Sequence, residues 1–136
     1  MEATKQQKKV ALALIENNGK FLLIDRMDHH LKLTWAFPGG VPEGNETEEE
    51  AAIREAKGET GIDVVVKSKL LTRKHPNTFV ELVYFHCEPK DLNQKPQILE
   101  TDEIKGLAWV EADKVLEKFT SDVDSRIRQF VLSFAK

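Results

Sequence analysis

The sequence is poor in features that mark secreted, membrane-spanning or nucleic-acid-binding proteins. Cys87 is its only cysteine, which excludes an intrachain disulfide and argues against a cysteine-based zinc site. The apolar run Val10–Ile15 is too short for a signal-peptide core or a membrane span. A net charge of −3 provides no global basic field that would draw the chain onto nucleic acid or anionic lipid. These absences favour a soluble cytoplasmic protein that acts on neither membranes nor nucleic acid.

The chain also lacks repeats, low-complexity tracts and recognisable linkers. Its 136 residues, 40% of them apolar, suit one compact domain with a sizeable core. We therefore expect a single domain over residues 1–136. The alternating pattern around Cys87 predicts that this thiol is a buried apolar filler in a strand and not a nucleophile.

Hydrophobic patterning predicts both strands and helices. Asn17-Asn18-Gly19 is a turn between two apolar strands, at 9–16 and 20–25. Thr47 followed by Glu50 is typical of a capping box and Gly61 of a helix end, so a helix is predicted over 46–60. Further strands are predicted at 62–66, 78–87 and 107–110, and further helices at 112–119 and 124–134. This order indicates a mixed α/β domain.

The first predicted helix carries an unusual pair of acids. Glu55 and Glu59 are four residues apart, so they project from one face about one helical turn from each other. Like charges at this spacing destabilise an isolated helix by about a few tenths of a kcal/mol. A divalent cation between them would explain the clustering, because Mg²⁺ favours carboxylate and carbonyl oxygens. The alternative is a solvated acidic face without a ligand.

The residues around this pair follow a longer pattern, G-x5-E-x7-R-E-U-x-E-E-x-G-U, where U is a bulky apolar residue. Seven of its nine defined positions are met, by Gly40, Glu46, Arg54, Glu55, Glu59, Gly61 and Ile62. Ala56 is a small substitute at the first apolar position, and Gly58 stands where a glutamate is expected. Over residues 40–62 the chain therefore resembles the signature box of the Nudix (MutT-like) hydrolase family.

The resemblance implies an α/β/α sandwich with a mixed β-sheet between helices, and hydrolysis of a nucleoside diphosphate linked to another moiety. It implies one or more Mg²⁺ or Mn²⁺ ions, with Glu55 and Glu59 as ligands. Glu55 is also a candidate to orient or deprotonate the attacking water. Glu46 and Arg54 are expected to pair with each other and to fix the geometry of the site.

Four more positions are candidate metal ligands by resemblance. A backbone carbonyl of Gly39 or Gly40 is expected, since glycine lets the backbone approach an ion closely, and a plain turn is the alternative. Family members often supply one more acidic ligand from a loop ahead of a late strand, which the run at 99–104 resembles. Glu103 is the first candidate there and Glu100 the second, the alternative being an ordinary acidic loop.

Gly58 is the position at which the sequence departs from the family pattern. Glycine inside a helix costs about 1 kcal/mol relative to alanine, so local stability does not favour it. The glutamate expected at this position is commonly counted among the metal ligands of the family, so its absence should weaken metal binding and slow turnover. Either Gly58 disables catalysis while leaving the fold intact, or other carboxylates compensate.

Other side chains give weaker signals. His29 and His30 lie in a predicted loop, where histidines are more often surface residues than ligand contacts. Arg73 and Lys74 either add positive charge near a polyphosphate or are solvated surface charges, the commoner case. The aromatic residues of the predicted strand 78–87 either line a nucleotide pocket or pack the core, and strand alternation alone explains the core.

The leading interpretation is a metal-dependent pyrophosphohydrolase acting on a nucleotide-type small molecule, with turnover reduced by Gly58. The rival is a nucleotide-binding regulatory Nudix domain with little or no turnover, and a scaffold indifferent to nucleotides is a third alternative. Pro76 is a weak sign of an ADP-ribose substrate, whereas the short chain equally suits an enzyme that removes damaged nucleoside triphosphates. Homodimers are common in the family, but no apolar stripe in the sequence argues for one.

Overall fold

A seven-stranded mixed sheet lies between helices in this computed structural model, which describes residues 8–27, 33–75, 79–99, 102–119 and 123–136. The strands are β1 (Lys8–Asn17), β2 (Lys20–Met27), β3 (Leu33–Ala36), β4 (Gly39–Gly40), β5 (Val64–Lys74), β6 (Val80–Pro89) and β7 (Ile104–Glu111). The helices are α1 (Glu48–Thr60), α2 (Ala112–Val115) and α3 (Ser125–Leu132), with a turn of 3-10 helix, Leu116–Lys118, directly after α2.

The sheet is built around a hairpin whose strands splay apart. β1 and β2 pair antiparallel only beside their turn, where Asn18 and Gly19 have φ of 53° and 80°, values that suit asparagine and glycine. Farther from the turn β3 pairs with β2 and β4 pairs with β1, so residues 33–40 fill the opening. On its other edge β1 pairs parallel with β6, which pairs antiparallel with β5, while β7 pairs with the outer edge of β2. The opening places the glycine pair of β4 inside the sheet.

Alternation along the central strands divides the core into two layers. In the first layer Ala11 and Ala13 of β1 pack with three fully buried alanines of α1, and these small side chains let the helix lie close to the sheet. The second layer is centred on Phe21, whose ring meets Phe130 and Phe134 edge-on from the α3 side. The α/β/α sandwich with a mixed sheet that the resemblance implied is therefore confirmed.

The start of α1 lies at Glu48, two residues later than predicted, because Thr47 is its N-cap. The Thr47 hydroxyl accepts a hydrogen bond from the Glu50 N–H at 3.1 Å, and the Glu50 carboxylate accepts one from the Thr47 N–H at 2.9 Å. The helix ends at Gly61, whose φ of 78° suits glycine. Both predicted end signals are confirmed, and Glu46 lies in the loop ahead of the helix.

Several elements differ from the sequence prediction: β3 and β4 were not predicted as strands, and β7 begins at Ile104, three residues earlier than predicted. β5 extends to Lys74, well beyond the predicted 62–66, because two register shifts against β6 interrupt the alternation on which the prediction relied. The predicted helix 112–119 changes at Leu116 into a 3-10 turn. Cys87 is fully buried as predicted, and burial raises the pKa of its thiol to about 12. Among the helices described, none has both the length and the apolar character needed to span a bilayer.

Candidate active site

Residues 39–62 form a strand, a loop and a helix that fold back on one another. β4 pairs with β1, the loop 41–47 leads away, and α1 returns to contact β1 and β4. Gly39 and Glu59 are 20 positions apart in the sequence and are joined by a hydrogen bond. The motif is therefore assembled by tertiary contacts as well as by its helix.

Arg54 fastens the loop to α1. Its Nε and Nη2 atoms donate to the two carboxylate oxygens of Glu46 at 2.8 and 3.0 Å, a two-pronged geometry that lysine does not offer. Nη2 also donates to the Val41 carbonyl at 3.2 Å. The hydrogen bonds from Arg54, followed by one from the Glu43 N–H, hold the pKa of Glu46 below its usual value. Glu46 and Arg54 thus form a charged pair that sets the path of the loop.

Glu55 projects from α1 toward the backbone of β4. Its Oε1 accepts a hydrogen bond from Arg54 Nη1 at 2.6 Å. Its Oε2 lies against Gly40, where a Cβ would fall only 1.9 Å from this oxygen. Glycine at position 40 therefore leaves the space in which the carboxylate lies. The Glu55 side chain is 22% exposed, so water and small ions can reach it.

Glu59 lies one turn farther along the same face of α1 and is only 3% exposed. Its Oε1 accepts a hydrogen bond from the Gly39 N–H at 2.8 Å. A buried carboxylate without such partners would be costly, so this contact helps to hold the group against β4. The structure thus brings Glu55 and Glu59 to the two glycines that the sequence singled out.

Gly58 is half-buried and lies within the continuous helix α1, directly before Glu59. Its neighbour Lys57 is exposed, and the Lys57 ammonium lies 3.3 Å from the Asp63 carboxylate. α1 continues through this position to its glycine cap. The glycine therefore leaves the helix intact and removes only the side chain that the motif expects.

Glu103 lies just ahead of β7 and is 60% exposed. Its carboxylate lies 3.6 Å from Arg26 Nη2, and its carbonyl accepts a hydrogen bond from the Met27 N–H. Within the described residues these contacts join Glu103 to β2 and not to the acids of α1, so its role as a metal ligand stays a prediction. Four other positions named from the sequence lie outside the described residues: His29, His30, Pro76 and Glu100.

A cavity of about 440 Å³ opens beside β4. Four aromatic side chains line it: Trp35, Phe37, Tyr84 and Phe119. Leu12 also lines the cavity and pairs with Gly39, the residue that donates to Glu59. The cavity therefore adjoins β1 where that strand pairs with β4, and most of its lining residues belong to the second core layer. Its size and apolar lining are those of a small-molecule site.

Arg73 and His75 add polar groups to the wall of this cavity. The pKa of Tyr84 is raised by burial, an effect that hydrogen bonding and the charge of Arg73 partly offset. A solvated surface charge was the commoner expectation for Arg73, whereas lining a pocket was one of the two alternatives left open for the aromatic residues of the predicted strand 78–87, among them Tyr84. The position of Trp35, just ahead of the glycine pair, could have indicated that it lies near the site. Phe119 reaches the cavity only through tertiary packing, so no sequence pattern could have indicated it.

The Nudix domain family model matches residues 5–130. A MutT-like protein of Streptomyces ambofaciens is 31% identical over 109 residues, which are 80% of this chain and 66% of that protein. An ADP-ribose pyrophosphatase of Methanocaldococcus jannaschii is 45% identical over 64 residues, which are 47% of this chain and 38% of that protein. The aligned region thus covers less than two thirds of the length of each of these relatives.

Among solved structures, a Nudix hydrolase from Nitrosomonas europaea superposes with a TM-score of 0.79 at 20% sequence identity. The match covers 95% of this chain and 72% of that one. At this identity the likeness concerns the fold, and it agrees with the sandwich described above. Because the family model spans nearly the whole sequence and the motif is assembled around α1, the chain belongs to the Nudix family.

Proposed function

We propose that this chain is a divalent-metal-dependent pyrophosphohydrolase acting on a nucleoside diphosphate linked to another moiety. Water attacks a phosphorus of the pyrophosphate, the bond to the bridging oxygen breaks, and two phosphorylated fragments leave. One observation carries the proposal: Glu55 and Glu59 share one face of α1 and lie against the glycine pair of β4.

The donor groups fit a hard divalent ion. Two carboxylates and the backbone oxygens of Gly39 and Gly40 are the oxygen ligands that Mg²⁺ and Mn²⁺ accept. The space beside Gly40, which a Cβ would fill, supports the same assignment because it lets Glu55 meet the backbone closely. When bound, such an ion polarises phosphoryl oxygens and lowers the pKa of bound water. Glu103 remains a further proposed ligand.

Other residues of the chain are proposed to position the Glu55 carboxylate, the attacking water and the substrate. Arg54 and Glu46 are proposed to hold the loop and the Glu55 carboxylate in register, since Arg54 contacts both acids. The exposed fraction of Glu55 allows it to orient a water or accept its proton. The aromatic lining of the cavity suits a planar base or another apolar moiety of the substrate, and Arg73 adds a positive charge there.

Gly58 is proposed to limit turnover. A glutamate there would add a negative charge directly beside Glu59, on a site that depends on carboxylates to hold a cation. The absence of this glutamate weakens metal binding without breaking the helix. The expected state of this chain is therefore a correctly folded enzyme with low activity.

The decisive experiment is metal-dependent hydrolysis of a nucleotide panel by this chain, Gly58→Glu and Gly58→Gln. The panel contains ordinary and oxidised nucleoside triphosphates, ADP-ribose and dinucleoside polyphosphates, each with Mg²⁺ and with Mn²⁺. Glutamine matches glutamate in size and helix propensity but lacks its charge, so the two variants separate helix stabilisation from charge. We expect Gly58→Glu to raise kcat/KM on one substrate by about 10- to 100-fold, and Gly58→Gln to leave it nearly unchanged.

Three results would contradict parts of this proposal. Equal rates for the glutamate and glutamine variants at saturating Mg²⁺ would exclude the missing charge as the limit on turnover. Unchanged rates in Glu59→Gln would remove the acidic pair from the reaction. If no variant hydrolyses any substrate while calorimetry still detects nucleotide binding, the chain is a binding domain and the hydrolase proposal fails.

A further inference from the structure

A second group of metal-ligating side chains lies away from the Nudix motif, at the turn end of β1. Glu16 belongs to β1, and His86 and Glu88 belong to the neighbouring strand β6. Glu16 is four residues along β1 from Leu12 at the cavity, about 13 Å at the usual rise of a strand. His86 packs on the α3 side of the sheet, whereas the acidic pair of the motif projects from α1 on the other side. The group is therefore separate from the candidate active site.

The three side chains converge closely enough to share an ion. One donor atom from each lies within 4.8 Å of the other two, and Glu16 Oε1 is 3.9 Å from His86 Nε2. Donors bound tetrahedrally to Zn²⁺ at about 2.0–2.2 Å lie about 3.3–3.6 Å from one another. Small side-chain rotations are sufficient to reach that spacing. The 3.9 Å separation is too long for a hydrogen bond, so Glu16 and His86 face each other without bonding directly.

The imidazole of His86 places its Nε2 atom in the protein interior. Within the described residues Nε2 has no hydrogen bond, and the His86 side chain is only 14% exposed. Buried polar atoms are nearly always paired, so an orphaned ring nitrogen aimed at a carboxylate points to a missing ligand. The rings of Phe130 and Phe134 pack on the imidazole, with centroids 5.0 and 5.6 Å away.

The carboxylates of Glu16 and Glu88 supply the negative charge that would attract a cation. The Glu16 side chain is 10% exposed, and its Oε2 is held by the Gly19 N–H at 2.8 Å, which leaves Oε1 directed toward His86. Glu88 is 43% exposed, and its carboxylate lies 3.8 Å from the Lys67 ammonium, a loose pair at the surface. Two carboxylates and one imidazole thus lie beside a single lysine. A divalent ion would compensate the remaining charge and satisfy Nε2.

We propose that Glu16, His86 and Glu88 bind a divalent transition-metal ion, of which Zn²⁺ is the best match. One imidazole nitrogen and two carboxylate oxygens suit zinc-type ions, whereas Mg²⁺ and Ca²⁺ favour all-oxygen sites. The ion joins β1 to β6 beside the turn that follows β1. It acts as a structural clamp and takes no part in hydrolysis.

The test first removes the two acids of the Nudix motif, so that binding at the second site is measured without their carboxylates. In the Glu55→Gln/Glu59→Gln background, Co²⁺ is titrated and followed by its visible absorption, and Zn²⁺ binding is measured by calorimetry. We expect one equivalent of each ion, and a melting temperature raised by about 9 °C when free Zn²⁺ is a hundredfold above its Kd. His86→Phe keeps a ring against α3 and Glu16→Gln keeps an acceptor for Gly19, and each should weaken binding at least tenfold.

Two further variants keep the result interpretable. Glu88→Gln changes a partly exposed side chain. It should therefore weaken binding of the ion while leaving the metal-free melting temperature unchanged. Glu117→Gln changes a carboxylate that is 66% exposed and pairs with Lys114, and it should change neither binding nor melting. Absence of Co²⁺ binding in the background protein overturns the proposal. Equal affinity in the folded Glu88→Gln and Glu117→Gln proteins overturns it as well.

Discussion

Gly39 and Gly40 are adjacent residues with different reasons to lack a side chain. A Cβ at position 40 would fall 1.9 Å from Oε2 of Glu55, which is the end of a flexible side chain. A Cβ at position 39 would fall 2.2 Å from the carbonyl oxygen of Ala11, which belongs to the backbone of β1. Gly39 is therefore needed for the pairing of β4 with β1, and Gly40 for the position of the Glu55 carboxylate.

This difference predicts that two alanine substitutions separate activity from stability. Gly40→Ala should displace Glu55 and lower the hydrolytic rate, with little change in melting temperature, because the carboxylate can rotate away. Gly39→Ala should cost about 2 kcal/mol or more of unfolding free energy, because β4 and β1 must move apart. Thermal unfolding of both variants and rates measured in the Gly58→Glu background provide the check. If Gly40→Ala melts as early as Gly39→Ala, the interpretation of Gly40 is wrong.

At the scale of elements, α3 is a short helix whose first turn is held by one side chain. The Asp124 carboxylate accepts a hydrogen bond from the Arg126 N–H at 2.8 Å and contacts the Arg126 guanidinium at 3.1 and 3.0 Å. These contacts, the guanidinium above all, lower the pKa of Asp124 to about 2. The cap matters beyond α3, because the rings of Phe130 on this helix and of Phe134 just after it pack against the second core layer.

We therefore expect Asp124→Ala to cost about 1 kcal/mol of unfolding free energy at neutral pH, a typical value for a lost N-cap. Because the folded-state pKa is below the ordinary 3.8, the charged carboxylate stabilises the folded state. Its contribution is full above about pH 4 and is lost as the pH falls toward 2. Denaturant unfolding across this range should show the difference between the two proteins shrinking. Asp124→Asn keeps a capping side chain but no charge. It should therefore lose less unfolding free energy at neutral pH than Asp124→Ala.

At the scale of the whole molecule, one sheet serves both core layers. β1 contributes Ala13 to the α1 side and Leu14 to the α3 side, so neither layer can come apart without affecting this strand. Phe21 of β2 connects three parts of the chain, with its ring 6.4, 6.1 and 5.6 Å from those of Phe37, Phe130 and Phe134. The single domain expected over the chain is consistent with this shared sheet, and it stays a prediction.

Cooperative unfolding tests that prediction. Phe21→Ala should lower the unfolding free energy by about 3–5 kcal/mol, as for other fully buried aromatic residues. Far-ultraviolet circular dichroism and the fluorescence of Trp35 and Trp109 should still report one coincident transition. Phe79→Ala is a suitable control, because Phe79 is 57% exposed and its loss should change stability by less than about 0.5 kcal/mol. Two separated transitions in the unsubstituted chain would argue against a single domain.

The sequence by itself determined the features that depend on neighbours along the chain. The caps of α1 follow from Thr47, Glu50 and Gly61, since capping is a local interaction. The shared face of Glu55 and Glu59 follows from helical spacing alone. Family membership follows from the same short segment. β5 was underestimated because its register shifts depend on β6 and leave no clear alternation in its own residues.

Only the tertiary structure decided where the distant parts of the chain meet. The cavity joins residues from the middle of β1, from β3, from the end of β5, from the first half of β6 and from the segment after α2. No local pattern relates them. The approach of Glu55 to Gly40 and of Glu59 to Gly39 depends on how α1 lies against β4. Glu16 and His86 are 70 positions apart, and they face each other because β1 and β6 pair in parallel register. Local periodicity specifies which face a side chain occupies, whereas strand pairing decides what lies opposite.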